Sequence, residues 1–151
     1  MSILDGKPLI TNLSKFENDM HTIDKAFVIC KTILQNAYQE NGINAGETHF
    51  SDVWLRDSCF ASIGALCLKD TEIVKKALTK IIEHMKDDGQ CPLRIGEIYF
   101  LLKYFKLKGP QGPTYIEDKY ISIPMDSNAL FIIVTAQYIK QSKNNIFLKT
   151  H

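Results

Sequence analysis

Apolar residues recur at steps of three and four along much of this chain, the spacing that gathers them on one side of an α-helix. The first such run predicts a helix from about Thr22 to Glu40, carried by Ile23, Ala26, Phe27, Cys30, Ile33, Leu34, Ala37 and Tyr38. Asn41-Gly42 is its expected stop, because glycine takes a left-handed cap at little cost. A second helix, about Ser58 to Leu68, is apolar on nearly every side, with Gly64 permitting close approach. Such a helix is expected to be buried all round. A third, about Thr71 to Lys86, is amphipathic. Ile73, Val74, Ala77, Leu78, Ile81, Ile82 and Met85 form its stripe, and Lys75, Lys76, Thr79, Lys80 and Glu83 face outward. Asp70 is its expected cap and Asp87-Asp88-Gly89 its end. A fourth, about Ser127 to Gln141, is again apolar nearly all round.

The segments between these helices carry turn and polar residues. Residues 1–20 read as an extended lead-in with a short helical turn around Ser14–Met20, and residues 21–151 as one helical domain. Ile43 to Asp57 reads as a long polar loop, a kind of segment that often carries function. Gln90 to Asp126 is irregular. Within it, Ile98–Phe105 fits strand or helix equally, Gly109–Pro113 is a break, and Tyr120–Ile123 alternates briefly before Pro124. No internal repeat is visible. Apolar helices alternating with an amphipathic one predict a mainly α fold with inner and outer helical layers.

Composition narrows the function classes. The chain has 151 residues, enough for one domain with a sizeable core, and 45% of them are hydrophobic. With 18 basic and 17 acidic side chains the formal charge is +1, so no sustained basic surface is available for nucleic acid or an anionic membrane. No apolar run approaches the roughly 20 residues of a membrane span. Met1–Pro8 lacks the basic start and apolar middle of a signal peptide. Cys30, Cys59, Cys67 and Cys91 include no close pair and read as reduced packing thiols, which points to a cytoplasmic setting. His21, His49, His84 and His151 have no ligand spacing, so neither a metal nor another cofactor is expected.

The densest chemistry lies at Trp54-Leu55-Arg56-Asp57, which includes the chain's one tryptophan. An indole face beside a forked donor and a carboxylate acceptor suits a sugar ring, whose C–H face the aromatic covers while the polar groups take its hydroxyls. The structural alternative is a loop ion pair with Asp57 or Ser58 as N-cap and Trp54 as a core plug. A second polar patch, Met125-Asp126-Ser127-Asn128, opens the fourth helix. Two polar groups at the mouths of two inner helices would face one end of a helical ring. For Asp126 the plain alternative is an ordinary N-cap worth about 1 kcal/mol.

Gly46–Ala61, with its Trp54-Leu55-Arg56-Asp57 core, resembles the W-x-R-D segment of the six-hairpin glycosidases. These are (α/α)6-toroid enzymes that include glucoamylases, glycogen-debranching glucosidases and alkaline/neutral invertases. Ile123–Phe131, containing Asp126-Ser127, resembles the D-S segment that opens a later inner helix, most closely in the invertase-like branch. The likeness spans roughly Ala26 to Lys140. It implies a partial (α/α)6 toroid, sugar-binding roles for Trp54, Arg56 and Asp57, and the general-acid position of the invertase-like branch at Asp126. In a glucoamylase-like protein Asp126 would instead be only a cleft residue. Asn128-Ala129-Leu130-Phe131 stands where that branch has a glycine followed by paired aromatics, a departure that bears on sucrose specificity.

Glycoside hydrolysis ordinarily uses two carboxylates across the scissile bond. In these families the second lies in later hairpins, which a chain of this length with about four helices does not reach. Glu97, Glu117 and Asp118 are acids on irregular segments and poor substitutes. The expectation is therefore the N-terminal portion of a glycosidase-like protein that binds an oligosaccharide or glucoside and has little or no hydrolase activity alone. The alternatives are a non-catalytic helical module that binds carbohydrate or protein, and a structural helical protein with no site. All-round apolar helices without neighbours would also favour self-association.

Overall fold

The computed structural model describes residues 9–40, 42–46, 52–97, 111–115 and 126–150, and these are mainly helical. The aromatic run Ile98–Phe105, the alternating Tyr120–Ile123, and Glu117 and Asp118 lie outside the described residues. The chain divides into two compact units, residues 1–35 and 36–151.

Among its described residues the first unit is one long helix, α1 (Leu9–Asn36). It begins inside the segment expected to be extended. Beyond Pro8 no proline or glycine interrupts the chain before Gly42, and apolar residues keep helical spacing through the polar ones between them. The helix also stops before Asn41-Gly42. The expected last turn instead becomes a hairpin of β1 (Tyr38–Gln39) and β2 (Gly42–Ile43), pairing Tyr38 with Ile43 and Gln39 with Gly42. Gly42 serves this hairpin rather than a helix cap. Its φ is +138°, and a Cβ there would lie 3.1 Å from the Cα of Ala77.

The second unit is built on three helices: α2 (Leu55–Cys67), α3 (Thr71–Ile82) and α4 (Ser127–Ser142). Short β3 (Val53–Trp54) runs directly into α2, so α2 starts three residues earlier than its apolar content suggests. A strand's backbone donors and acceptors pair laterally, and those of β3 are taken by β4 (Arg94–Glu97), itself paired with β5 (Gln111–Thr114) in an antiparallel three-stranded sheet. The irregular segment thus contains strands. Leu93-Arg94-Ile95 alternates, with Leu93 and Ile95 buried and Arg94 half-buried.

The chain leaves α2 through Lys69, held at φ +67° while the amides of Lys69 and Asp70 donate to Leu66 and Ala65, each at 2.9 Å. This paired closure satisfies the last carbonyls and turns the chain back into α3. Asp70 occupies the N-cap position of α3 without capping it. Its carboxylate instead accepts the Tyr38 hydroxyl at 2.9 Å, tying the hairpin to α3. α3 is shorter than its stripe suggested, ending at Ile82, and turns follow it to Gly89.

α2 and α4 lie side by side and run in the same direction. Arg56 in the first turn of α2 reaches Asp126 at the start of α4, and at the far end Gln141 Nε2 donates to the Leu66 carbonyl at 2.6 Å. α3 packs against both. Their shared core holds Leu55, Cys59, Leu66, Val74, Leu78, Ile81, Val134 and Tyr138. The Tyr138 ring meets that of Phe147, from the short α5 (Phe147–Thr150), edge-on at 5.2 Å. Burial is one-sided on both apolar helices, contrary to the expectation of burial all round. α2 buries Leu55, Ser58, Cys59, Ser62, Ala65 and Leu66 and exposes Phe60, while α4 buries Val134 and Tyr138 and exposes Ile132 and Ile133. The described elements of this unit supply neighbours for one face only.

Candidate functional site

The two polar segments singled out in sequence meet in space. Arg56 Nη2 lies 3.0 Å from Asp126 Oδ2, joining the first turn of α2 to the first turn of α4. Both side chains keep about half their surface in solvent, at 56% and 41%. Asp126 stands at the N-cap position of α4, yet its side chain caps no amide of that helix. The ordinary N-cap reading therefore does not hold. One carboxylate oxygen is turned to Arg56, and the other, Oδ1, is buried without a hydrogen-bond partner. Buried polar atoms of this kind are uncommon and call for a reason. Ser58 Oγ, fully buried in the same first turn of α2, is in the same condition.

Trp54 and Asp57 occupy different surroundings. Asp57 is exposed in the first turn of α2, where the helix dipole favours a negative side chain. It does not cap the helix; Trp54 holds that position, with no side-chain cap. Trp54 is half-buried at the end of β3, opposite Arg94 of β4. Directly opposed residues of an antiparallel pair share a face, and here the Arg94 guanidinium sits over the indole at 5.9 Å from the ring centroid. The indole is thus neither a core plug nor a bare platform, because an arginine stands over it.

Arg94 is the site residue that the sequence reading missed. Its Nη1 donates to Asp52 Oδ2 at 3.2 Å, and both side chains are well covered, at 24% and 10% exposure. Gly96 makes room for this pair, since a Cβ there would run into the Asp52 carboxylate. The signal available in sequence was the alternation Leu93-Arg94-Ile95, which marks a strand whose polar residue shares a face with its neighbour on β3.

Asn128 fixes the entrance of α4. Its Oδ1 accepts the Cys91 amide and its Nδ2 donates to the Gly89 carbonyl, each at 3.2 Å, so the turn after α3 is fastened to the first turn of α4. Nearby, the Cys59 thiol is pushed up to about 12 by burial and secondarily by Cys91, and burial pushes Cys91 to about 11. Both remain protonated near neutrality and serve as apolar packing. Cys30 and Cys67 are exposed, against the expectation of packing roles for all four cysteines.

This end of the unit can accept and donate hydrogen bonds through Arg56, Asp57 and Asp126, beside an aromatic and a second guanidinium. A concavity elsewhere is formed by Glu40, Glu72, Lys75, Lys76, Thr79, Lys80 and Glu83, and none of the candidate residues lines it. Among the described residues no group of three or more His, Cys, Asp or Glu is placed to hold a metal ion, and no helix is long and apolar enough to cross a membrane. Compared with protein-family models, curated proteins and solved structures, the chain shows no match.

Proposed function

We propose that Trp54, Arg56, Asp57 and Asp126 form the sugar-contacting end of a six-hairpin-glycosidase-like helical layer, and that this chain binds an oligosaccharide without hydrolysing it. The observation that carries the proposal is the Arg56–Asp126 pair, which brings together the two segments whose residue types suit a sugar. Parallel α2 and α4, with α3 packed against both, are the arrangement that two inner helices and an outer helix of such a layer would adopt. Exposed Arg56 and Asp57 and half-buried Asp126 are open to a ligand's hydroxyls.

Binding is favoured over cleavage by the placement of the acids. Asp126 accepts from Arg56, so giving a proton to a glycosidic oxygen would require that pair to open. Asp52, beside Trp54, is engaged by Arg94, and Asp57 is exposed in the first turn of α2. A hydrolase needs two carboxylates in complementary states across the bond, and of the three here Asp52 and Asp126 are each held by an arginine. The four free thiols fit the cytoplasmic setting proposed for the chain.

The single tryptophan makes the test direct. Titrating the protein with maltotriose and with sucrose is expected to give a saturable change in Trp54 fluorescence, with no release of reducing sugar. Arg56→Ala and Asp126→Ala are each expected to weaken binding about tenfold or more, the loss of a charge-assisted hydrogen bond. No saturable change with either sugar would overturn the binding site, and steady sugar release would overturn the non-catalytic assignment. A second reading, a helical protein-interaction module, is favoured by the exposed Phe60, Ile132 and Ile133 on the outer faces of α2 and α4.

A further inference from the structure

We propose that α1 pairs with α1 of a second copy of this chain, through a heptad seam running its whole length. Leu9, Leu13, Phe16, Met20, Ile23, Phe27, Cys30 and Leu34 succeed one another at alternating steps of four and three. That spacing places Leu13, Met20, Phe27 and Leu34 at one core position of a heptad and Leu9, Phe16, Ile23 and Cys30 at the other. The helix has 28 residues, four complete heptads, with an apolar residue or cysteine at every core position. Sustained over three to four heptads, this repeat is the pattern of helices that coil about one another.

Exposure along the helix shows that the seam needs a cover. Of the seam residues, Met20, Ile23 and Phe27 are exposed at 43%, 59% and 59%, and Leu34 is half-buried. A helix draws most of its stability in a protein from packing its apolar face, so one that leaves such a face in water lacks its main support. The occupant follows from the repeat. A seam with a period of 3.5 residues is matched by another helix of the same period, and a second copy supplies one of identical length. At 1.5 Å per residue the seam is about 42 Å long. The flanks are mostly acidic. Asp19 borders the seam on one side and Glu17, Asp24 and Lys31 on the other, so acids predominate at the flanks and apolar packing rather than ion pairing drives the association.

Analytical ultracentrifugation of the full chain tests this, with far-UV circular dichroism on the same samples. The wild type is expected to dimerise at micromolar concentration, with helix content rising alongside dimer. Joint substitution Ile23→Lys and Phe27→Lys is expected to weaken dimerisation at least tenfold. Val28→Lys alters a residue just as exposed, at 61%, but off the seam, and is expected to leave the dimer intact. Added salt should preserve or tighten the pair, because the flanking acids repel. Near-UV dichroism from Trp54 and Tyr138 is expected to be unchanged in the variants, which separates loss of pairing from loss of fold in residues 36–151. A monomer at all concentrations, equal effects of Val28→Lys and the seam substitutions, or dissociation by salt would each overturn the proposal.

Discussion

At the scale of single residues, the four cysteines divide in a way that titration can read. Cys59 and Cys91 are buried beside one another at the junction of α2 with the strand segment, whereas Cys30 and Cys67 are exposed. Burial raises both buried thiols above their ordinary value of 9.0, to about 12 and about 11. The unfolded chain therefore releases these protons from about pH 9, while the folded chain retains them to higher pH. By linkage, stability falls wherever the unfolded state binds fewer protons. The contribution of these thiols is complete below about pH 9 and is lost as pH rises from there through about 11 to 12. Tyr38, whose hydroxyl is also raised by burial and by its bond to Asp70, acts in the same direction at higher pH. Urea unfolding at a series of pH values should show this decline, and Cys59→Ala with Cys91→Ala should flatten it between pH 9 and 11. Ellman's reagent should modify Cys67 quickly in the native chain, Cys30 as well once Ile23→Lys and Phe27→Lys disable the α1 seam, and all four thiols after denaturation. Rapid modification of all four in the folded protein would contradict the burial.

At the scale of elements, the Arg56–Asp126 pair holds two helix starts together without being what holds the helices. Its side chains are 56% and 41% exposed, and exposed ion pairs contribute between about zero and 1 kcal/mol. A double-mutant cycle of Arg56→Ala and Asp126→Ala, read by urea unfolding, should return a coupling below about 1 kcal/mol. Leu78→Ala, at a fully buried position shared by α2, α3 and α4, should cost about 2–5 kcal/mol in the same assay. A coupling of several kcal/mol would make the pair a structural clamp rather than a solvated pair available to a ligand. The same contrast separates what was legible in sequence from what was not. α3 could be read because a complete stripe faces the core and lysines face water. α2 and α4 could be read as helices, but the side each buries depends on which neighbours are present, which periodicity does not record. Residues 9–20 hid their helix because, beyond Leu9, Leu13, Phe16 and Met20, they carry fewer additional apolar residues than the stretch that follows, which adds Ala26, Val28, Ile29 and Ile33. β3, β4 and β5 were illegible because two to four residues carry too little alternation to stand out. Of the site, Arg56 and Asp126 were legible from residue type and position. Arg94 was not, because its place over Trp54 comes from a strand pairing across distant segments.

At the scale of the whole molecule, apolar surface beyond the α1 seam remains to be accounted for. Phe60 on α2 and Ile132 and Ile133 on α4 are exposed at 55%, 66% and 48%. Isolated exposed apolar residues are ordinary, but several on paired helices form a surface that tends to associate. In a six-hairpin-like layer, these are faces that further helices would cover. The chain should therefore show weak association that does not depend on α1. Sedimentation of the Ile23→Lys, Phe27→Lys variant isolates it, because the seam is then disabled. In that background, s-values should rise with concentration, and adding Ile132→Lys with Ile133→Lys should suppress the rise. Both isoleucines lie off the buried stripe of α4, so the melting transition should shift little. If the seam variant sediments as a monomer across the concentration range without these changes, the α2–α4 face is not a self-association surface. Its exposed side chains would then be inert, or reserved for a partner of different sequence.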